Sequence, residues 1–247
     1  MDYSNQYLGH IKELLKRLEK EQMGVMQKGA AQMADAIKEG HSIIVFGASL
    51  AGILAQEMFY RTGGLAVVNP IFPKEVMLDV RPITKTSQME RLEGYGCIAL
   101  QNSGIQKGDV LLLHSVSGRN TIAIDMALEA KKMGITTIAI TSLDYSKQVT
   151  SRHVCGMNLF EIADIVIDNC GELEDSCMQL AGMKQKIAPT STIIGAAIVN
   201  CLLIMFVERL LEMGVEPPIF HSANVDGGDA FNEKLITDYR ERIFYMK

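Results

Sequence analysis

The chain has 247 residues, 48% of them apolar, enough to bury a sizeable core in one large α/β domain or two small ones. A formal net charge of −5, with no lysine–arginine block, argues against duplex nucleic acid as a partner. The five cysteines, Cys97, Cys155, Cys170, Cys177 and Cys201, include no Cys-x-x-Cys pair and read as reduced, mostly packed thiols of a cytoplasmic protein.

The opening stretch MDYSNQYLGHIKELLKRLEK is charged, has a helical pattern and lacks the apolar segment of a signal peptide. Residues 5–38 read as helix in two pieces broken near Gly24. HSIIVFG (41–47) is a buried strand closed by glycine. LAGILAQEMFYRTGG (50–64) follows as a helix with Gly63-Gly64 as its C-terminal stop. LAVVNP (65–70) is a second strand, and the prolines around 71–87 mark a loop. Residues 88–104 begin helical and end in a loop that leads to the third strand, GDVLLLHS (108–115). Residues 120–133 carry Ala123, Met126, Ala127, Ala130 and Met133 at helical spacing, with Asp125, Glu129 and Lys132 on the other face. ITTIAITS (135–142) is a fourth strand, and 161–169 hold a short helix and a fifth strand. A long helix spans 191–214, and 229–244 suggest a last one. The apolar run at 193–207 is 15 residues long, too short to span a bilayer, and reads as a core helix. Strands alternating with helices imply an α/β fold, a parallel sheet between two helical layers, in a single domain over 1–247.

Open parallel sheets bind ligands at the carboxyl ends of their strands. Two such ends are turns of small residues that open helices: Gly47-Ala48-Ser49-Leu50-Ala51-Gly52 and Ser115-Val116-Ser117-Gly118-Arg119-Asn120. Free N–H groups and the helix dipole attract anions at turns like these, and serine hydroxyls add donors. The same composition also serves close packing of helix on strand. The first turn is not Gly-x-Gly-x-x-Gly and has no Walker lysine, so neither a dinucleotide fold nor a P-loop follows. Pro189-Thr190-Ser191-Thr192 opens the long helix, as an N-cap or as a further wall of an anion pocket. Glu57, among Leu54, Ala55 and Met58, is a candidate base if it faces a cleft and a surface carboxylate if it does not. His153, in a hydroxyl-rich loop, is a candidate proton carrier or a solvated side chain. His114 lies in a strand and reads as packed, and His153 with Cys155 lacks a recognised zinc spacing.

The motifs FGASLAG, HSVSGRN and APTST, in this order on a parallel sheet, resemble the SIS (sugar isomerase) domain. EMFYRTGGLAVVNPI, ERLEG, AITSLDYSK, SRH, PTSTIIGAAIVN and SANVDGGD resemble a bacterial branch of it related to the phosphoheptose isomerases, over nearly the whole chain. The resemblance implies a three-layer αβα sandwich on a five-stranded parallel sheet in flavodoxin-like order. Helices 5–38 would pack on the core or on a dimer partner. It implies a sugar-phosphate ligand, no obligatory metal or other cofactor, and a cytoplasmic homodimer or homotetramer with sites at subunit interfaces, acting in carbohydrate metabolism without nucleic acid or membrane partners. By the same resemblance Ser115, Ser117 and Asn120 hold the phosphate with Gly118 backbone, Gly47 and Ser49 belong to the first phosphate turn, and Thr190 and Ser191 line the pocket. Glu57 matches the glutamate that acts as base in the phosphoheptose isomerases, and His153 sits in a loop characteristic of the branch. The implied activity is aldose–ketose isomerisation; the alternatives are a non-catalytic sugar-phosphate sensor and an amino-sugar-phosphate lyase or etherase.

Four positions depart from the branch pattern. Its Gly-x-Gly-x-Ser turn here ends Ser49-Leu50-Ala51, so one glycine has become serine and one serine alanine. Val116 and Met157 stand where polar and basic residues are usual. Loss of one hydrogen bond to a charged group costs about 1.5–3 kcal/mol, roughly 10- to 150-fold in affinity.

Overall fold

The computed structural model describes residues 2–246. Two N-terminal helices, α1 (Tyr3–Glu21) and α2 (Met23–Lys38), break at Gln22, close to the expected Gly24. The following elements alternate: β1 (Ile43–Gly47), α3 (Gly52–Met58), β2 (Val68–Pro70), α4 (Lys85–Met89), α5 (Tyr95–Gln101), β3 (Val110–His114), α6 (Thr121–Met133), β4 (Thr136–Thr141), α7 (Leu143–Lys147), α8 (Leu159–Ile162) and β5 (Ile165–Asp168). A two-stranded antiparallel hairpin, β6 (Ser176–Met178) and β7 (Ile187–Pro189), precedes α9 (Ser191–Glu212) and α10 (Gly228–Asp238). Strands β1 to β5 form one parallel sheet in the order β2-β1-β3-β4-β5. This is the flavodoxin-like order, with helices on both faces.

All five residues of β1 and of β3 are buried, as a sheet covered on both faces requires. Alternate side chains enter different cores. Val45, Leu112 and Ile140 join Met33, Ile198, Leu202 and Phe206 under α2 and α9. Phe46, Leu113 and Ala139 join Leu100, Ile122 and Met126 under α5 and α6. By length and composition α9 could cross a bilayer, but here Ile194, Ile198, Leu202, Phe206 and Leu210 are buried in the protein.

The structure corrects several boundaries. The helix expected over 50–64 stops at Met58, because Phe59 turns extended and Tyr60 takes φ +43°. Phe59 packs edge-on against Phe72 and Tyr245, with centroids 5.7 and 4.8 Å apart, and aromatic burial there outweighs another helical turn. Gly63, at φ +74°, donates its N–H to the Phe220 carbonyl at 2.9 Å, so the glycine pair joins the C-terminal segment instead of capping a helix. The loop expected over 71–87 contains the start of α4, and Gly94 at φ +79° separates α4 from α5. The last helix ends at Asp238, short of the expected 244. The β6–β7 hairpin has three residues per strand, too few for a readable period.

Gly47 closes β1 so tightly that a Cβ there would lie 2.3 Å from the Ala51 carbonyl oxygen and 2.9 Å from the Gly52 nitrogen. Both obstacles are backbone and cannot swing aside. Gly47→Ala should therefore destabilise by about 1–3 kcal/mol, a fall in Tm of roughly 2–10 °C by scanning calorimetry. An unchanged Tm would contradict this account of the turn.

Candidate functional site

The chain runs from β1 to β2 on one side and then to β3 on the other, so the turns after β1 and β3 emerge side by side. Between them lies a cleft of about 420 Å³. Its walls include Ser49, Leu50 and Ala51 from the first turn and His114 to Ser117 and Asn120 from the second. Glu90, Tyr145, Glu174 and Asp175 complete the polar lining.

The second turn presents free donors. The hydroxyls of Ser115 and Ser117, and the backbone N–H groups of Val116 and Ser117, meet no protein acceptor among the described residues. The turn is held from behind. Gly118 donates its N–H to Ser115 O at 3.1 Å, and Ser146 Oγ donates to Ser117 O at 2.9 Å. Gly118 has φ +61°, and a Cβ there would meet Ser146 Oγ at 3.0 Å. The glycine thus shapes the cradle, and its own N–H is already used.

The first turn has exchanged its role. Ser49 takes φ +50°, the conformation that the glycine of the family pattern adopts freely. Its hydroxyl donates to Glu90 Oε1, and Asn120 Nδ2 donates to Glu90 Oε2. Arg152 Nη1 in turn donates to Asn120 Oδ1 at 2.8 Å. Arg91 and Arg119 lie near Arg152, whose pKa is lowered first by burial and then by these two charges. Ser49 and Asn120 therefore pin a carboxylate in the cleft wall. Gly47 lies behind the lining, as a packing residue.

Thr190 and Ser191 have found an internal anion. Asp175 Oδ1 accepts from Thr190 N at 3.2 Å, Ser191 N at 2.9 Å and Thr190 Oγ1 at 3.5 Å, while Oδ2 accepts from Ser191 Oγ. A carboxylate at a helix N-terminus satisfies orphan donors and the dipole together. Two consecutive residues with positive φ, Glu174 at 66° and Asp175 at 58°, deliver it there.

The structure does not bring Glu57 or His153 into this cleft. Glu57 lies on α3 in a separate cavity of about 240 Å³ beside Asn200, which donates to it at 3.2 Å, and it pairs with Arg61. His153 packs on α6, with Nε2 3.2 Å from Asp125 Oδ1 and 3.5 Å from Glu93 Oε2. Burial pushes the Asp125 carboxyl up, against bonds from Gly96 N–H and His153. Ligand atoms of Glu93, Asp125 and His153 lie within 4.8 Å of one another, close enough to hold a metal. However, His153 Nδ1 accepts the Cys155 N–H at 3.0 Å, so in the neutral ring Nε2 carries the proton and donates to the carboxylate. That makes the trio a hydrogen-bonded latch for the 150–157 loop. Exposed Cys155 stands outside it, its sulfur facing Met157 N at 3.4 Å.

Glu90, Tyr145, Glu174 and Asp175 were missed as site residues. Glu90 and Tyr145 lie inside the motifs ERLEG and AITSLDYSK that carried the resemblance, which was the one signal available. Asp175 gave none, since its role depends on a hairpin and a left-handed backbone.

The strand order and the cleft at its switch point define an open α/β protein of flavodoxin-like order. Residues 6–142 match the SIS domain. The UPF0309 protein of Shouchella clausii is 50% identical over 246 residues, covering 100% of both chains, and that of Oceanobacillus iheyensis is 48% identical over the same span. The chain belongs to the SIS domain family and, within it, to the UPF0309 proteins. Among solved structures, phosphoheptose isomerase from Neisseria gonorrhoeae shares the fold at TM-score 0.54 and 15% identity, over 83% of this chain and 96% of that one. That from Francisella tularensis does so at 0.55 and 15%, over 84% and 97%.

Removing the Asp175 carboxylate strips α9 of its cap. Asp175→Ala should lose about 1–2 kcal/mol of stability in urea unfolding at neutral pH. Asp175→Asn, which keeps one acceptor oxygen, should lose less. Equal stability of wild type and Asp175→Ala would show that the contact carries no weight.

Proposed function

We propose that this protein binds a sugar phosphate in the cleft between the β1 and β3 turns, with the phosphate on Ser115–Ser117. One observation carries the reading: two hydroxyls and two backbone N–H groups, without protein partners among the described residues, belong to a turn that lines the cleft at the switch point of the sheet. Charge-assisted hydrogen bonds of this kind are what a phosphate needs. The arginines around Asn120 supply positive potential behind the rim. Thr190 and Ser191 serve at one remove, by holding Asp175.

The finer reading is aldose–ketose isomerisation, which the shared fold with phosphoheptose isomerases supports. A base would carry a proton between C2 and C1 through an enediol. Glu57 and His153 are the candidates for that base, and neither reaches the cleft within one chain. Turnover on this reading needs a second copy of the chain or a rearrangement. Leu8, Leu15, Ile193, Ile204 and Leu211 stand exposed on α1 and α9, an apolar surface that suits a homodimer or homotetramer. Sensing without turnover is the second reading, and Ala51 favours it, because the cradle lacks the usual hydroxyl on its β1 side. A cytoplasmic location accords with both.

A thermal-shift screen of pentose, hexose and heptose phosphates tests binding. Ser117→Ala should reduce affinity for the best ligand about 10-fold or more, and Ala51→Ser should preserve or strengthen it. Unchanged affinity in Ser117→Ala would reduce the turn to a packing element. Exchange of the substrate C2 proton in deuterated water then separates the readings: exchange marks the isomerase, and binding without exchange marks the sensor.

A further inference from the structure

His114 ends β3 and lines the cleft. As a strand residue it reads as packed, and it is indeed only 3% exposed. Its hydrogen bonding says more. Nδ1 lies 2.9 Å from the Ala51 carbonyl oxygen. A carbonyl has no proton to give, so Nδ1 carries the hydrogen, and Nε2 of the neutral ring presents a lone pair. Burial holds the ring's pKa below its ordinary value, against the Ala51 bond and the charge of Asp175, so the neutral form prevails at pH 7. Among the described residues no protein group donates to Nε2.

A buried acceptor left unpaired is destabilising. Packing and the bond to Ala51 account for the ring and for Nδ1, and leave Nε2 without a use. The chemistry of the acceptor also selects what it meets. A phosphate oxygen carries lone pairs of its own and is repelled, whereas a hydroxyl has a proton to offer. The cleft is thus divided into a donor region at Val116 and Ser117, suited to an anion, and an acceptor region at His114 with Glu90, Glu174 and Asp175, suited to a polyol.

We propose that His114 is a specificity residue whose Nε2 accepts a hydrogen bond from a hydroxyl of the sugar while the phosphate rests on Ser115–Ser117. This rests on the sugar-phosphate reading of the cleft. Nε2 is closed to water in this conformation, so the hydroxyl reaches it through a small opening of the wall. Asp175, whose charge acts on the ring, lies in that wall, on a segment with two positive-φ residues.

The test uses the full chain uniformly labelled with ¹⁵N. The probes are inorganic phosphate and whichever pentose, hexose or heptose phosphate most strongly shifts the Ser117 amide. The sugar phosphate should move the His114 Nε2 resonance, and inorganic phosphate should leave it in place. His114→Asn keeps an amide donor for Ala51 and deletes Nε2. It should weaken the sugar phosphate about 3- to 10-fold and leave inorganic phosphate within twofold, and His114→Gln should recover part of the loss. A shifted Ser117 amide with a stationary Nε2, or an Nε2 that moves equally with inorganic phosphate, would overturn this inference alone. No response of Ser117 to any sugar phosphate would overturn both this inference and the function it rests on. The wild-type resonance decides even if both variants fail to fold.

Discussion

The rest of the site depends on one topological constraint. A parallel sheet whose chain winds outward from β1 in both directions leaves the β1 and β3 ends adjacent, with no crossover to fill the space between them. Two tight turns emerge there, and each must begin a helix. Glycine at 47 and at 118 lets the backbone turn without a clash, and the buried strands fix where each turn starts. The cleft is therefore a consequence of strand order, and side chains decide only its chemistry.

That chemistry is organised by carboxylates as much as by donors. Glu90 gathers Ser49 and Asn120, and Asp175 gathers Thr190 and Ser191. Each acid satisfies donors that a phosphate would otherwise attract, so the anion cradle narrows to the Ser115–Ser117 turn. No lysine or arginine is found among the described residues lining the cleft. Positive charge stands one layer back, at Arg152 and its neighbours. A ligand suited to these walls bears one compact anion and several hydroxyls.

The fold was legible in the sequence because its signals are local and redundant. Runs such as LLLH and IIVFG, closed by small residues, mark buried strands whatever surrounds them. The alternation of strand and helix then leaves little choice of architecture. The place of the Ser115–Asn120 turn at a strand end was legible for the same reason, while its spacing alone left anion binding and close packing equally open. What escaped depended on distant contacts. Nothing near Glu57 announces Asn200, distant in sequence, beside which it sits in another cavity. Nothing near Asp175 announces the start of α9. His114 was read as core because it sits in a strand, and its unpaired nitrogen becomes visible only beside the Ala51 carbonyl. Ser49 is the instructive exception. The departure from glycine was visible in the sequence, and the structure supplies the reason it is tolerated, a hydroxyl tied to Glu90.

The most direct test of the central claim is a crystal structure with the sugar phosphate that gives the largest thermal shift. The account predicts phosphate oxygens within about 2.5–3.2 Å of the Ser115 and Ser117 hydroxyls and the Val116 and Ser117 N–H groups, with the sugar directed toward His114. A phosphate seated instead beside Arg61 in the Glu57 cavity, or against Arg91 and Arg152 outside the cleft, would contradict it.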